Sequence, residues 1–327
     1  MMILIFSEEL EQTTDEVVQW LISQGISFLR INKEDSIKII ELSLNNERLL
    51  LELNGKIFNI NEFDAIWYRR GNLNNNYFQS ALLELSSNSS ILNQAGRFLG
   101  NEWIILQFYI FYVLERKSRV LGSFQKSLVN KLINLSIAKQ CGLLIPDTTI
   151  TSKGYVVKNK LAATEQISKP ISESETFQNA DGSILKMLTE VVTIDDVDEE
   201  KDFFPSLIQK NIKKWIELRV FFLGNRFYSM AIFSQSNSKT TTDFRNYDND
   251  KSNRMVPFNL PKSIEINLLK FMKHLGLNTG SIDMIVTPER EYVFLEVNPA
   301  GNIEMVSKNC NYPIEQEIAN FLGYGAV

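Results

Sequence analysis

The chain has 327 residues, of which 44% are hydrophobic and 22% are charged. This composition is typical of a globular protein and excludes a disordered chain. The 34 basic and 39 acidic side chains give a net charge of −5, so the chain lacks the basic surface of a general nucleic-acid binder. Two cysteines and one histidine exclude a disulfide framework, a zinc site and a histidine-based metal cluster.

The N-terminus and the longest apolar run both argue against a secreted or membrane protein. The first residues lack the basic segment of a secretory signal and soon reach acidic side chains at Glu8 and Glu9. The apolar run at 103–114 is too short to span a bilayer and fits a buried helix better. We therefore expect a cytoplasmic protein with no membrane partner.

The beginning of the chain predicts an α/β domain. An apolar strand at 2–6 precedes Thr13 and Glu16, which fit a capping box at the start of a helix. Gly25 stops this helix, and a second apolar strand follows at 26–31. A βαβ-like opening of this kind is typical of α/β folds.

Hairpin, strand and helix signals continue this domain. Asn54-Gly55 joins two apolar runs and predicts a tight β-hairpin. A strand at 64–68 ends at Arg69 and Arg70, which could line a cleft or be solvated. Residues 80–117 then follow a helical, aromatic pattern.

Residues 126–205 form the predicted central region. Its helix at 131–139 is followed by strand-like runs at 155–157 and 184–187. The stretch 168–183 between these runs is rich in Ser and Glu, which indicates a loop.

Residues 206–327 form the predicted third region, which is rich in strands. A helix at 262–274 ends at Gly276, and a last helix is predicted at 314–322. The predicted strands are 219–223, 226–232, 280–287 and 292–297.

Three oxygen-bearing side chains converge on the last two of these strands, which are joined by a turn near Glu289-Arg290. If that turn is symmetric, Asp283 lies opposite Glu296, and Asn298 shares a face with Glu296 because alternate residues of a strand point the same way. Two facing carboxylates normally destabilise a sheet, whereas a hard cation such as Mg²⁺ makes the arrangement favourable. The alternative is an ordinary hairpin with solvated acids, and the pattern leaves both open.

A set of separated cations is the second chemical signal. Lys131 begins a helix, Lys169 precedes a proline, Arg219 lies early in a strand, and Arg245 follows Asp243. Phosphate chemistry requires such cations to hold the polyphosphate and to offset charge in the transition state. Each of them could equally be a surface charge. The sequence has no P-loop and no GxGxxG motif, which disfavours those two kinds of nucleotide site.

Together these residues resemble the ATP-grasp superfamily. More narrowly, the chain resembles the ATP-grasp peptide maturases that make graspetides, which include the microviridin ligases and the maturases of grasp-with-SPASM systems. Asp283 with the strand 294–299 is specific for the superfamily, while 242–245 and the tail 299–307 point to the peptide-maturing branch. The other matching segments are 67–70, 130–132, 141–146, 168–171 and 209–220.

The resemblance implies an ATP-grasp fold of the α/β and α+β classes. An N-terminal pre-ATP-grasp α/β domain would occupy 1–125. Two α+β subdomains, 126–205 and 206–327, would clasp ATP between them. The third would carry the Mg²⁺ ligands and the catalytic residues.

The resemblance also implies a role for each candidate residue toward ATP and Mg²⁺. Asp283, Glu296 and Asn298 would hold Mg²⁺. Lys131 and Lys169 would contact the α- and β-phosphates. The nucleoside contacts would be the hinge Gln209, Lys210, Asn211 and Ile212 beside adenine, and Glu217 at the ribose hydroxyls. One departure is that 172–183, where many members carry a glycine-rich loop over the phosphates, contains only Gly182.

Three residues are implied in catalysis. Arg219 would approach the γ-phosphate or the acyl phosphate. Arg245 is our candidate for gripping the acceptor carboxylate, because its fork matches a carboxylate bidentately. Asp243 could orient Arg245 or help to deprotonate the nucleophile. The alternative is an Asp–Arg pair that closes a loop.

The implied reaction activates an Asp or Glu side-chain carboxylate of a ribosomal precursor peptide as an acyl phosphate. A Ser or Thr hydroxyl, or a Lys amine, of the same peptide then displaces phosphate, giving a macrocyclic ester or amide. The implied partners are a precursor with leader and core, a radical SAM SPASM-domain maturase from the same cluster, and a second copy of the chain in a homodimer.

Two other functions remain open from the sequence. One is an ATP-grasp ligase for free amino acids or a protein C-terminus, of the glutathione-synthetase or RimK type. The other is a nucleotide-binding regulator that lacks turnover, which the complete acidic set disfavours.

Overall fold

The structure of the chain is a computed structural model that describes residues 1–46, 48–74, 89–116, 119–172, 176–179, 182–236 and 253–325. None of the helices in these ranges has the length and hydropathy that a bilayer-spanning helix needs. The strands are β1 Met2–Ser7, β2 Ser27–Asn32, β3 Ile37–Ser43, β4 Arg48–Leu53, β5 Lys56–Asn59, β6 Ala65–Tyr68, β7 Arg119–Leu121, β8 Thr148–Lys153, β9 Gln166–Lys169, β10 Thr176–Gln178, β11 Ile184–Lys186, β12 Glu190–Val192, β13 Asp202–Lys210, β14 Ile216–Leu223, β15 Arg226–Phe233, β16 Arg254–Pro257, β17 Thr279–Val286 and β18 Tyr292–Asn298. The helices are α1 Gln12–Ser23, α2 Ser89–Leu114, α3 Phe124–Ser127, α4 Lys131–Gln140, α5 Gly154–Ala163, α6 Lys262–Leu275, α7 Glu304–Cys310 and α8 Ile314–Tyr324.

The N-terminal part contains a parallel sheet in the order β2-β1-β6-β7. The predicted βαβ opening is confirmed, but the predicted capping box of Thr13 and Glu16 is wrong. Helix α1 begins earlier, because the carboxylate of Glu11 caps it by accepting from the amide of Thr14. Thr13 is already inside the first turn and is buried.

A smaller antiparallel sheet, in the order β3-β4-β5, packs beside it. The predicted hairpin at Asn54-Gly55 is confirmed. Both residues have left-handed backbones, with φ of 51° and 78°, as a two-residue hairpin turn requires. The last turns of α2 bury Ile110, Phe111 and Leu114 in the same core as this hairpin.

The central part is an antiparallel sheet in the order β12-β9-β13-β8. The strand predicted at 155–157 is wrong, since these residues lie in α5. The β-branched pair Val156-Val157 suggested a strand, but the strong helix formers that follow it to Ala163 prevail. Val157 packs inward and is buried.

The stretch predicted as a loop at 168–183 is partly a strand. Within its described residues, β10 pairs antiparallel with β11, from Thr176 opposite Lys186 to Gln178 opposite Ile184. Residues 173–175 and 180–181 lie outside the described residues.

The C-terminal part is a sheet in the order β16-β15-β14-β17-β18. Helix α6 covers one face, burying Leu268, Phe271 and Met272, and ends at the left-handed Gly276 as predicted. The fold therefore places the long strands β14, β17 and β18 side by side, which is where the sequence located its candidate acids.

One hydrophobic core joins the two ends of the chain. It contains Ile3 and Ile5 of β1, Phe221 of β14 and Ile318 of α8. The predicted domain boundaries at 125 and 205 stay a prediction, and this shared core shows that the N-terminal sheet packs directly on the C-terminal part.

Candidate active site

A cleft lies between the central sheet and the C-terminal sheet. Apolar side chains, among them Ile167, Met284 and Leu295, line part of it. The cleft therefore combines an apolar wall with charged groups, as nucleotide sites do. The predicted site residues that line it are Lys131, Lys169, Gln209, Lys210, Asn211, Ile212, Glu217, Asp283 and Glu296.

Asp283 and Glu296 face each other across β17 and β18, as predicted. The predicted symmetric turn is not what aligns them. Next to the turn, Ile285 pairs with Val293 and Met284 with Phe294, so the ladder shifts by one residue before it reaches Asp283. Leu295 is the extra residue of this β-bulge. Leu295 lines the cleft and does not belong to the adjacent hydrophobic core.

Arg219 lies beside Asp283 on the neighbouring strand β14. Its Nη1 donates to both carboxylate oxygens of Asp283, at 2.8 and 2.7 Å. The two side chains are only 12% and 17% exposed, so solvent screens this ion pair weakly. The Nε of Arg219 is buried without a hydrogen-bond partner in the described part of the chain. Arg219 itself is not a wall residue of the cleft, but it is ion-paired with Asp283, which is.

Lys131 connects three parts of the cleft. Its Nζ donates to the carbonyl oxygens of Pro170, at 3.2 Å, and Ser172, at 2.7 Å, and lies 3.8 Å from Glu296 Oε2. Asn130 caps the helix at which Lys131 stands, which fixes the start of the side chain. The ammonium group is thus held between the loop after β9 and the acidic hairpin. Lys169, at the end of β9, also lines the cleft.

Glu217 is a buried carboxylate at the floor of the cleft. Its Oε1 accepts from Ser234 Oγ at 2.6 Å and from Lys214 Nζ at 3.1 Å. Burial raises the pKa of Glu217 above its ordinary value, although the Lys214 charge and the Ser234 hydrogen bond oppose the shift. The predicted ribose acceptor is therefore an ion-paired, hydrogen-bonded group.

The predicted adenine hinge comprises the last two residues of β13 and the two residues that follow it. The side chain of Gln209 is buried and donates to Thr148 Oγ1 at 2.7 Å, which ties β13 to β8. The amides of Lys210 and Asn211 donate to the carbonyl oxygens of Asp147 and Glu165, both at 2.9 Å. These bonds hold the hinge backbone rigidly at the edge of the cleft.

Asn298 stands two residues beyond Glu296, at the exposed end of β18. Its Oδ1 accepts from the amide of Ala300 at 3.0 Å. Asn298 is not a wall residue of the cleft. The structure thus brings Asp283 and Glu296 together and leaves Asn298 at the rim, with its oxygen oriented by the following loop.

Two predicted catalytic residues, Asp243 and Arg245, lie outside the described residues. Two polar residues that the sequence did not suggest contribute to the site instead. Lys214 is 6% exposed in its side chain and neutralises Glu217, and Ser234 is fully buried beside it. The spacing of Lys214 three residues before Glu217 is the one signal that could have found it.

The residues present fit a magnesium-bound nucleotide. Among the described residues, no group of three His, Cys, Asp or Glu side chains could enclose a metal ion. Two facing carboxylates at an open cleft, with an amide oxygen nearby, are instead the partial oxygen set that Mg²⁺ uses when phosphates complete its shell.

Comparison with known proteins gives a consistent result. No family model matches the chain, and no curated protein matches it. The macrocyclase MdnC from Microcystis aeruginosa MRC, solved with precursor peptide MdnA, is 27% identical, with a TM-score of 0.77 over 98% of this chain and 99% of that one. A RiPP-associated ATP-grasp ligase of Chryseobacterium gregarium, in complex with ADP and a leader and core peptide, is 25% identical, with a TM-score of 0.81 over 100% and 97%.

The ATP-grasp ligase PsnB, complexed with minimal precursor, Mg and ADP, shares only the fold. It is 16% identical, with a TM-score of 0.72 over 98% of this chain and 96% of that one. The predicted resemblance to RiPP-associated ATP-grasp ligases is confirmed, and the likeness extends over the whole chain. The described elements therefore form an ATP-grasp fold.

Proposed function

We propose that the chain is an ADP-producing ligase that closes rings in a ribosomal precursor peptide. It activates an Asp or Glu side-chain carboxylate as an acyl phosphate and joins it to a Ser or Thr hydroxyl or a Lys amine. The observation that carries this proposal is the full-length likeness to two peptide-bound ligases at 27% and 25% identity. The cleft supports it, since it offers facing acids and flanking cations in one place.

Within this proposal, ATP occupies the cleft with its base against the apolar wall of Met284 and Leu295. The hinge at 209–212 lies beside the base, and Glu217 faces the ribose. Lys131 and Lys169 hold the phosphates. Asp283, Glu296 and Asn298 would hold Mg²⁺, which would supply positive charge against the phosphates.

Arg219 acts through its charge in two ways. It neutralises Asp283, with which it is paired at 2.7 Å, and this lowers the repulsion between Asp283 and Glu296. As the resemblance implies, Arg219 would also approach the γ-phosphate or the acyl phosphate. A closed cleft then protects the acyl phosphate from water until the hydroxyl or amine displaces phosphate.

The peptide substrate carries a leader and a core in this proposal. Arg245 grips the acceptor carboxylate, and Asp243 orients Arg245 or helps to deprotonate the nucleophile.

The test is reconstitution of the chain with the precursor peptide encoded beside it, ATP and Mg²⁺, followed by intact mass. Loss of one water mass per bond formed, with one ADP released per bond, is the expected result. The variant Asp283→Asn removes one proposed Mg²⁺ ligand and should abolish the loss. ADP release with free amino acids and no change in the peptide would favour a free-amino-acid ligase instead.

We also propose a homodimer. The support is a stripe of exposed apolar side chains on α2, spaced seven residues apart: Ile91, Phe98, Ile105 and Tyr112. A heptad stripe of this kind is suited to pairing with a second copy of the same helix. Sedimentation of wild type and Phe98→Glu tests it, since the charge should yield monomers.

Two further partner and location proposals follow from the resemblance. A radical SAM SPASM-domain maturase from the same gene cluster would act on the same precursor, and a neighbourhood without such a gene would count against it. A cytoplasmic location fits the use of ATP and the two free cysteines, Cys141 and Cys310.

A further inference from the structure

A buried arginine of the N-terminal sheet holds the loop that follows Asn298. Arg69 directly follows β6 and is 4% exposed. Its Nη1 donates to the carbonyl oxygens of Ala300, at 2.9 Å, and Gly301, at 3.0 Å. The same loop turns back on Asn298, because the amide of Ala300 donates to Asn298 Oδ1 at 3.0 Å and the amide of Gly301 to the Asn298 carbonyl at 3.1 Å.

The charge of Arg69 is balanced by one buried carboxylate. Its Nη2 donates to Glu11 Oε1 at 2.9 Å. Glu11 Oε2 in turn accepts from the amide and the hydroxyl of Thr14, both at 2.7 Å, so the counterion is itself fixed as the cap of α1. Burial acts to raise the pKa of Glu11, but the charge of Arg69 and the bonds from Thr14 outweigh it and lower that pKa.

A buried ion pair of this kind is a poor device for stability alone, since well-packed apolar residues often serve as well. The ion pair instead serves to fix the orientation of the Arg69 side chain. A planar guanidinium with Nη2 on Glu11 and Nη1 on two successive carbonyls defines the position of the loop at Ala300-Gly301. Because the amide of Ala300 donates to Asn298 Oδ1, the position of this loop determines where that oxygen points.

We infer that Arg69 is a positioning residue for the Mg²⁺ ligand Asn298, acting from the N-terminal sheet through the Ala300-Gly301 backbone. The inference rests on the proposed function, which makes Asn298 a Mg²⁺ ligand. Groups that orient metal ligands commonly change metal affinity by about 10- to 100-fold when they are replaced. The N-terminal domain would then contribute to nucleotide binding without touching the nucleotide.

The chain contains a matched control in Arg119. This residue also belongs to the N-terminal sheet, and its Nη1 also donates to two successive carbonyls of the C-terminal part, those of Leu322 at 3.1 Å and Gly323 at 2.6 Å. Those carbonyls lie at the end of α8, far along the chain from Asn298. Arg119→Lys therefore removes the same kind of arginine–carbonyl contact, but at a place away from the candidate active site.

The experiment measures ADP binding by calorimetry to the whole chain, with saturating Mg²⁺ and with EDTA. The ratio of the two dissociation constants isolates the contribution of Mg²⁺. Arg69→Lys keeps the charge but cannot reach both carbonyls and Glu11, so we expect this ratio to fall about tenfold while binding in EDTA stays unchanged. Arg119→Lys should leave both constants unchanged.

A second variant keeps the test informative if Arg69→Lys does not fold. Glu11→Gln retains an oxygen to cap α1 but removes the counterion, and it should lower the same ratio by a smaller factor. Equal loss of ADP binding with and without Mg²⁺, or a ratio that matches that of Arg119→Lys, would overturn the inference while leaving the proposed function intact. No Mg²⁺ effect in the wild type would overturn both.

Discussion

Arg219 places a single nitrogen, Nη1, against both carboxylate oxygens of Asp283, at 2.8 and 2.7 Å. Asp283 in turn lies opposite Glu296 across the next pair of strands. One positive and two negative charges therefore stand side by side across β14, β17 and β18, and the arginine offsets the repulsion between the two acids. The acidic hairpin is thus kept assembled by a cation on its own sheet.

Replacing Arg219 should lower ADP production in a chain that still folds. Arg219→Met keeps the apolar stem but removes the charge, so we expect ADP production to fall about 100-fold, the effect of losing one preorganised donor in an active site. The control is Arg226→Met, because Arg226 Nη1 also donates to both oxygens of a carboxylate, that of Glu317, at an exposed place. Similar turnover in the two variants would contradict the role of Arg219.

Leu295 should contribute to nucleotide affinity because the bulge turns it toward the cleft. Leu295→Ala removes apolar surface from the proposed base site, and we expect ADP binding to weaken by about 1 kcal/mol, or several-fold in Kd. Leu144→Ala is the control, since Leu144 is exposed and does not line the cleft. Calorimetry with ADP measures both, and equal affinities would place the base elsewhere.

The raised pKa of Glu217 predicts that the stability of the chain depends on pH. Its pKa is raised by burial in the folded chain, so the native state holds this proton more tightly than the unfolded state, whose value is near 4.5. The stabilisation from this proton is complete below pH 4.5 and is lost as the pH rises through the raised pKa. Glu217→Gln has no such titration. The free energy of unfolding, measured by denaturant between pH 4.5 and 7, should therefore increase in the variant relative to wild type as the pH rises.

The loop after β18 should not tolerate a side chain at Gly301. A Cβ there would lie 2.5 Å from Ser281 Cβ and 2.7 Å from Ser281 Oγ. We expect Gly301→Ala to lower the free energy of unfolding by about 1–3 kcal/mol, as overpacking does. At Gly280 an added Cβ would meet its nearest atoms at 3.4 Å, so Gly280→Ala is the milder control. Equal melting temperatures for the two variants would show that the loop can shift freely.

Much of this arrangement could be predicted from the sequence because the signals are local. Asn54-Gly55 and Gly276 favour the left-handed backbones that they adopt, and a symmetric turn was assumed in order to place Asp283 opposite Glu296. The β-bulge at Leu295 could not be predicted from local sequence, because the position of an extra residue in a strand depends on how that strand pairs with the next. The pairing was right, although the symmetric turn assumed for it was not.

The contacts that cross the chain could not be predicted in this way. Arg69 and Ala300 are separated by most of the sequence, and neither residue type indicates the other. The helical start at Glu11 was missed for a related reason, since the carboxylate that caps α1 is also paired with Arg69, which is distant in sequence. The strand expected at 155–157 failed because a β-branched pair was given more weight than the helix formers after it.

The most direct test of the central claim is a crystal of the chain grown with ADP and Mn²⁺, in which anomalous scattering locates the metal. The account predicts a peak bound by oxygens of Asp283 and Glu296, with the base of ADP between the hinge and Leu295. A metal peak away from both carboxylates, or ADP bound outside the cleft, would contradict it.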